Sequence, residues 1–195
     1  MHRFYYNHEI PLDVFFVVIS PDKKVTKSEG KGDVIALYSE EEIVGYNLFN
    51  AKSYISDLKD GAYLKEDEKT LEEVNKALSE NGFIPLKKNE TSGYRVACVK
   101  ALEEHPLLAK ANIVTLTILD KEVQTVSFYQ NLKVGAKVVV KENGCLDREG
   151  VMFLSHVEKN IPIDVSICGS EELNLPKTDG AYLTDKKEGS DFFLD

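Results

Sequence analysis

Six short strand-like segments follow one another between residues 94 and 195, with turn residues between them and almost no helical periodicity. The segments cover residues 96–102, 113–119, 123–128, 138–140, 151–157 and 166–168. Asn143-Gly144 supplies one of the turns, and a short helical turn is predicted at 170–173. Because closing a sheet on itself removes its exposed edges, this pattern predicts a small closed β-barrel.

Residues 1–90 mix strand and helix signals. The strand-like segments cover 14–19, 34–38 and 43–48, and the last two are predicted to form a hairpin through residues 39–42. Apolar residues recur at helical spacing over 71–78, and Thr70 with Glu73 forms a capping box before them. The predicted helix ends at Asn81-Gly82, a pair that readily adopts left-handed backbone angles.

A polar stretch bracketed by Pro85 and Gly93 is typical of a linker. It divides a chain of 195 residues, a length that suits one or two domains. The sequence therefore predicts an α+β protein, with a mixed α/β domain of unknown role at 1–90 and an all-β domain at 91–195.

The net charge of −9 argues against a general nucleic-acid-binding surface, because phosphate binding requires clustered Lys and Arg. A local basic face is still compatible with this net charge. The longest apolar run, residues 14–19, is far shorter than the ~20 residues of a membrane helix, and the first residues lack the apolar core of a signal peptide. The three cysteines form no C-x-x-C pair, so a disulfide framework is not expected. We therefore expect a cytoplasmic protein with no membrane span.

No catalytic constellation is apparent. The four histidines lack the spacing of a helical zinc site, and residues 30–33 lack the full phosphate-loop pattern. Residues 166–170 contain Ser and Cys but no nucleophile elbow, so Cys168 is interpreted as a core residue. We therefore expect no enzymatic activity, no cofactor and no metal.

Binding groups remain as candidates. Phe128 and Tyr129 are adjacent at a strand end, so one is expected in the core and the other is available to stack on an unpaired base. Packing of both rings is the alternative interpretation. Lys110, Lys137 and Lys141 lie near strand ends and are candidates to line one face, although surface lysines are often only solvated.

Three stretches of the second half resemble the tRNA-binding oligonucleotide-binding (OB) domain found in methionyl- and phenylalanyl-tRNA synthetases. Residues 105–111 read His-Pro-Leu-Leu-Ala-Lys-Ala, where the family has His-Pro-Asp-Ala-Asp-Lys-Leu. Residues 126–140 contain the Asn131 and the Gly-Ala-Lys-Val-Val-Val run that match its Asn and Gly-x-Lys-Val-Val-Val. Residues 167–176 correspond to its Gly-Met-x-Cys-Ser-x-x-Glu-Leu-Gly-Leu stretch, from which the chain keeps Cys168, Glu172, Leu173 and Leu175, with Gly169 in place of the Ser. In order and extent, the whole chain resembles the two-domain YtpR-type tRNA-binding proteins.

The resemblance implies an OB-fold barrel that binds tRNA or another structured RNA by its backbone and shape. Lys110 and Lys137 are then expected to contact phosphates, and Tyr129 or Phe128 to stack on a base. The full set of expected RNA-binding residues is His105, Lys110, Phe128, Tyr129, Asn131, Lys137, Lys141, Ser166 and Ser170. Free-standing members of the family are often dimers, so a homodimer is a further expectation.

Several departures from the family fall at positions that, in the family, form the surface facing tRNA. Leu107 and Ala109 replace its two Asp residues, and Phe-Tyr-Gln at 128–130 replaces its Gly-Ala-Pro turn. Two alternatives therefore stay open. In the first alternative, the barrel is a protein-interaction or regulatory module without a nucleic-acid ligand. In the second, the first domain assembles an enzyme site.

Overall fold

A computed structural model describes residues 1–8 and 13–194. The protein is β-rich, and within these residues it contains a single α-helix. The chain forms two compact units. The first comprises residues 1–90 and 148–152, and the second comprises residues 91–147 and 153–195.

The first unit contains a six-stranded antiparallel sheet in the order β3-β4-β5-β2-β1-β6. The strands are β1 (Arg3–Tyr6), β2 (Phe15–Val18), β3 (Lys27–Lys31), β4 (Val34–Ser39), β5 (Glu42–Leu48) and β6 (Gly61–Ala62). The predicted hairpin is confirmed as β4 and β5. Strands β1 and β3 are not predicted by the sequence pattern. Strand β3 reads Lys-Ser-Glu-Gly-Lys on the sheet edge, and it lacks the apolar alternation by which strands are recognised.

Helix α1 (Glu68–Glu80) buries one apolar face in the core of the first unit. Leu71, Val74 and Leu78 lie on that face, as their helical spacing predicts. The predicted start at Thr70 is wrong, because Asp67 is the N-cap and accepts from the backbone nitrogen of Lys69 at 3.2 Å. Thr70 lies within the first turn and donates its hydroxyl to the same carboxylate at 2.8 Å.

The second unit contains a five-stranded antiparallel sheet in the order β13-β10-β7-β8-β9. Its strands are β7 (Tyr94–Glu104), β8 (Asn112–Ile118), β9 (Lys121–Ser127), β10 (Lys137–Lys141) and β13 (Ser166–Ile167). A separate hairpin pairs β11 (His156–Glu158) with β12 (Ile161–Ile163), and a 3₁₀ turn covers Glu171–Leu173. A predicted strand over 151–157 is wrong for its first five residues, because the side chains of Val151 and Leu154 are exposed and give it no buried face.

The long strand β7 organises this sheet. Its first half pairs with β10 and its second half with β8, and the register shifts between Val99 and Ala101. Such an irregularity bends a strand and increases its twist. At the far edge, the backbone nitrogen of Asp164 donates to the carbonyl of Gln124 at 2.8 Å, which draws β9 toward the segment before β13. The unit is therefore barrel-like, with an apolar core inside the curved sheet.

Candidate nucleic-acid interface

Two loops leave the same end of the barrel-like sheet. The 105–111 loop leads into β8 and the 128–136 loop follows β9, and their adjoining residues Asn112 and Ser127 face each other across the two strands. The side-chain nitrogen of Gln130 donates to the carbonyls of Lys110 at 2.8 Å and of Phe128 at 2.9 Å. One amide group thus joins both loops, and we call them together the loop face.

His105 organises the first of these loops. Its ring is buried, and Nδ1 accepts from the backbone nitrogens of Leu107 and Leu108 at 3.0 Å each. Because Nδ1 acts as an acceptor, the ring proton of the neutral histidine lies on Nε2. The backbone nitrogen of His105 also donates to the carbonyl of Ala111 at 2.9 Å, which closes the loop. Lys110, on the loop, has a left-handed φ of 63° and an exposed side chain.

Phe128 and Tyr129 point in different directions. The Phe128 side chain is 61% exposed, whereas Tyr129 packs against the barrel core. The Tyr129 hydroxyl donates to Oε2 of Glu172 at 3.3 Å. Burial, together with the neighbouring Glu172 charge, raises the pKa of Tyr129 to about 12. Of the two rings, Phe128 is therefore the one that is accessible for stacking.

Lys141 lies inside the second unit. Its Nζ is 3.0 Å from Oε1 of Glu172 and 3.5 Å from Oδ2 of Asp147, and its side chain is 11% exposed. Burial alone lowers the pKa of Lys141, but the Glu172 charge and hydrogen bond outweigh burial and raise it. The expectation that Lys141 shares an exposed face with Lys110 and Lys137 is therefore wrong.

Asn131 and Ser170 hold the C-terminal segment of the second unit. The Asn131 amide donates to the carbonyl of Ala181 at 2.9 Å and accepts from its backbone nitrogen at 2.8 Å. The buried hydroxyl of Ser170 accepts from the backbone nitrogen of Thr178 at 2.8 Å. Both polar side chains are used within the protein, which the local sequence did not reveal.

Lys137 begins β10, whereas Lys141 ends it and is paired with Ser166 of β13. Ser166 is therefore at the opposite end of β10 from Lys137. Nζ of Lys137 donates to the carbonyl of Asp185 at 3.5 Å. Lys133, which the sequence analysis did not select, is exposed in the loop before β10. In the described part of the chain, neither Lys110, Lys133 nor Lys137 forms an ion pair with a carboxylate.

The described residues contain neither a metal-binding cluster nor a membrane-spanning helix. Within residues 1–8 and 13–194, no group of three or more His, Cys, Asp or Glu side chains is arranged to hold a metal ion. Over the same residues, no helix is long and apolar enough to cross a membrane.

Comparison with known proteins supports the resemblance found in the sequence. Residues 21–86 match the family model of a domain of unknown function (DUF4479). The chain is 29% identical over 155 residues to the protein named "Putative tRNA-binding protein YtpR" of Bacillus subtilis (strain 168). The matched region covers 76% of this chain and 75% of that relative. The predicted likeness to YtpR-type proteins is thus confirmed.

Proposed function

We propose that this YtpR-like protein binds tRNA, or another structured RNA, through an OB-type barrel formed by residues 91–195. The relative's name supports the choice of tRNA. The observation that carries the proposal is the loop face, where the Gln130 side chain bonds to the backbone carbonyls of the exposed Phe128 and of Lys110, a lysine that is not ion-paired. An aromatic ring with nearby cations is the combination that unpaired nucleotides bind.

Three lysines and one ring make the proposed contacts. Lys110, Lys133 and Lys137 contact phosphates, and Phe128 stacks on an unpaired base. Stacking of this kind contributes about 1–3 kcal/mol per base and tolerates every base, because each has a planar face. Recognition is then mainly of backbone and shape.

Most of the other expected residues stabilise the loops and the C-terminal segment through hydrogen bonds within the protein. His105 shapes the first loop, Asn131 anchors the C-terminal segment, and Tyr129 ties the second loop to Glu172. We assign Ser170 a supporting role as well, because its hydroxyl is buried and bonded. Ser166 lies at the Lys141 end of β10, so we assign it no contact with RNA.

The acidic balance of the chain determines how such binding responds to salt. With a net charge of −9, long-range attraction to RNA is absent and binding depends on the local lysines. Each phosphate contact adds about −0.7 to −0.9 to the slope of log affinity against log salt, so three contacts give a slope between about −2 and −3. Titration of the full chain with bulk tRNA at two salt concentrations tests the proposal.

A protein partner is the second candidate, and one observation favours it. Leu107, Phe128 and Val134 are 70%, 61% and 66% exposed on the two loops of the loop face. Exposed apolar side chains that form a patch are typical of protein-binding surfaces. A protein-interaction or regulatory module would bind no tRNA, so the same titration separates the two candidates.

The remaining parts of the proposal concern the whole chain. We propose that it acts in the cytoplasm without catalysing a reaction, and that residues 1–90 form a separate α/β domain, to which we assign no role. Formation of a homodimer stays a prediction, which sedimentation of the free protein tests.

A further inference from the structure

A cavity of about 250 Å³ lies on the loop face, between the end of β7, the 105–111 loop and the start of β8. Leu108, Ala109 and Ala111 line it as apolar residues, whereas Glu104, His105, Lys110, Asn112 and Gln130 line it as polar ones. The volume is slightly below the range of ~300–1,000 Å³ for pockets that hold drug-sized ligands, and it suits a single planar heterocycle.

The polar groups of the cavity are of two kinds. Glu104 and Asn112 are directly opposite each other across β7 and β8, so their side chains emerge on the same face. The Glu104 carboxylate is an acceptor only, while the Asn112 amide can donate. His105 uses Nδ1 to hold its own loop, which leaves its Nε2–H as the donor of the ring.

A carboxylate in this position is unfavourable for a phosphate but favourable for a base edge with two adjacent N–H groups. Guanine carries such an edge in N1–H and N2–H, with the acceptor O6 beside them. Adenine, cytosine and uracil each place an acceptor next to their donor on the same edge, and that acceptor would face the carboxylate. Unpaired RNA bases are commonly read on this edge.

We propose that the cavity binds one unpaired guanine of the RNA. Glu104 accepts from N1–H and N2–H, and Asn112 or His105 donates to O6. Gln130 also lines the cavity and bonds to the backbone carbonyl of Phe128, so the cavity and the residue that carries the exposed ring belong to the same loop face. This inference rests on the proposed RNA-binding function and adds base selectivity to it.

Kethoxal tests the assignment directly, because it adds to N1 and N2 of unpaired guanines. Bulk tRNA is treated with kethoxal in the presence of saturating full-length protein, and the modified positions are read by sequencing. With the wild-type protein we expect the reactivity of at least one unpaired guanine to fall about tenfold, as the energy of a bidentate base contact implies.

Two variants test whether Glu104 is responsible for the protection from kethoxal. Glu104→Gln replaces one acceptor oxygen with a donor, so we expect the protection to be lost while the salt dependence of tRNA binding is unchanged. Glu103→Gln is the matched control, because the neighbouring residue lies on the other face of β7 and is expected to preserve the protection.

The outcomes distinguish failure of the guanine site from failure of the proposed function. If tRNA binds and no guanine is protected, or if Glu104→Gln protects as well as wild type, the guanine site is overturned and the proposed function stands. If no tRNA binds at all, both the proposed function and the guanine site are overturned.

Discussion

The side-chain nitrogen of Gln130 lies 2.8 Å from the carbonyl oxygen of Lys110, and it bonds to the carbonyl of Phe128 as well. A single exposed amide thus links the backbones of two residues that are 18 positions apart in the chain, one carrying a cation and the other a ring. Neither group is placed by a regular strand, so the bridge determines how well the loop face is preorganised for a ligand.

Gln130→Ala removes this bridge without removing either binding group. A neutral hydrogen bond contributes about 0.5–1.5 kcal/mol, so we expect tRNA affinity to fall roughly threefold to tenfold. The slope against salt should stay at the wild-type value, because no cation is lost. Filter binding at several salt concentrations measures both quantities. A changed slope would mean that a phosphate contact depends on the bridge, contrary to this expectation.

Phe128→Ala tests the stacking contact. Loss of a base–aromatic stack costs about 1–3 kcal/mol, which corresponds to a roughly fivefold to 150-fold weaker Kd for tRNA. Phe128→Tyr keeps the planar ring and serves as the control, with an affinity close to wild type. Equal affinity of Phe128→Ala and wild type would remove the ring from the interface.

Lys141 and the surface lysines are expected to respond differently to substitution. Lys141→Ala leaves the carboxylates of Glu172 and Asp147 partly buried beside each other, and loss of one partner of a buried pair costs about 3–5 kcal/mol. Because Lys141 keeps 11% of its side chain exposed, we expect a loss near the lower end, about 3 kcal/mol. Urea unfolding measures this loss. The salt slope of tRNA binding should not change, and a slope flattened by one unit would place Lys141 on a phosphate instead.

Asp191 should make the stability of the second unit depend on acid pH. Burial raises the pKa of Asp191, but hydrogen bonds from Ser92, Phe193 and Thr91 outweigh burial and lower it. A carboxyl whose pKa is lower in the folded state stabilises the protein above its unfolded pKa of about 4, and this stabilisation is lost as pH falls through the folded pKa.

Asp191→Asn removes this titration. We expect the variant to be less stable than wild type at pH 7 and the difference to shrink as the pH falls below about 4. Urea midpoints collected from neutral to acid pH provide the measurement. A difference that is constant over the whole range would show that the charge of Asp191 does not contribute.

Local patterns predicted much of the fold. The β4–β5 hairpin, the apolar face of α1 and the main strands of the second unit follow from periodicity and turn residues, which are properties of neighbouring residues. Strand β3 was missed because its stability comes from pairing with β4, whereas its own side chains are mostly charged and exposed. Pairing of this kind is not encoded in the segment itself.

The site was predicted less completely, and for a related reason. Because Phe128 and Tyr129 are adjacent in an extended segment, the sequence predicted that one of the two rings would be exposed. Which ring is buried depends on the contact of Tyr129 with Glu172, 43 residues further along the chain. The burial of Lys141 depends on the same Glu172 and on Asp147. Contacts with a residue as distant in the sequence as Glu172 leave no local pattern, so a buried lysine and an exposed one look alike in sequence.

The central claim is tested most directly by the salt slope of tRNA binding and its dependence on single lysines. From ~50 to ~200 mM salt, a slope between about −2 and −3 predicts a roughly 16- to 64-fold loss of wild-type affinity. Lys110→Ala and Lys137→Ala should each flatten the slope by about one unit. Lys121→Ala, an exposed lysine at the opposite end of β9 from the loop face, should leave it unchanged. No detectable binding at ~50 mM salt, where phosphate contacts are strong, or a slope that these lysines do not affect, would contradict the account.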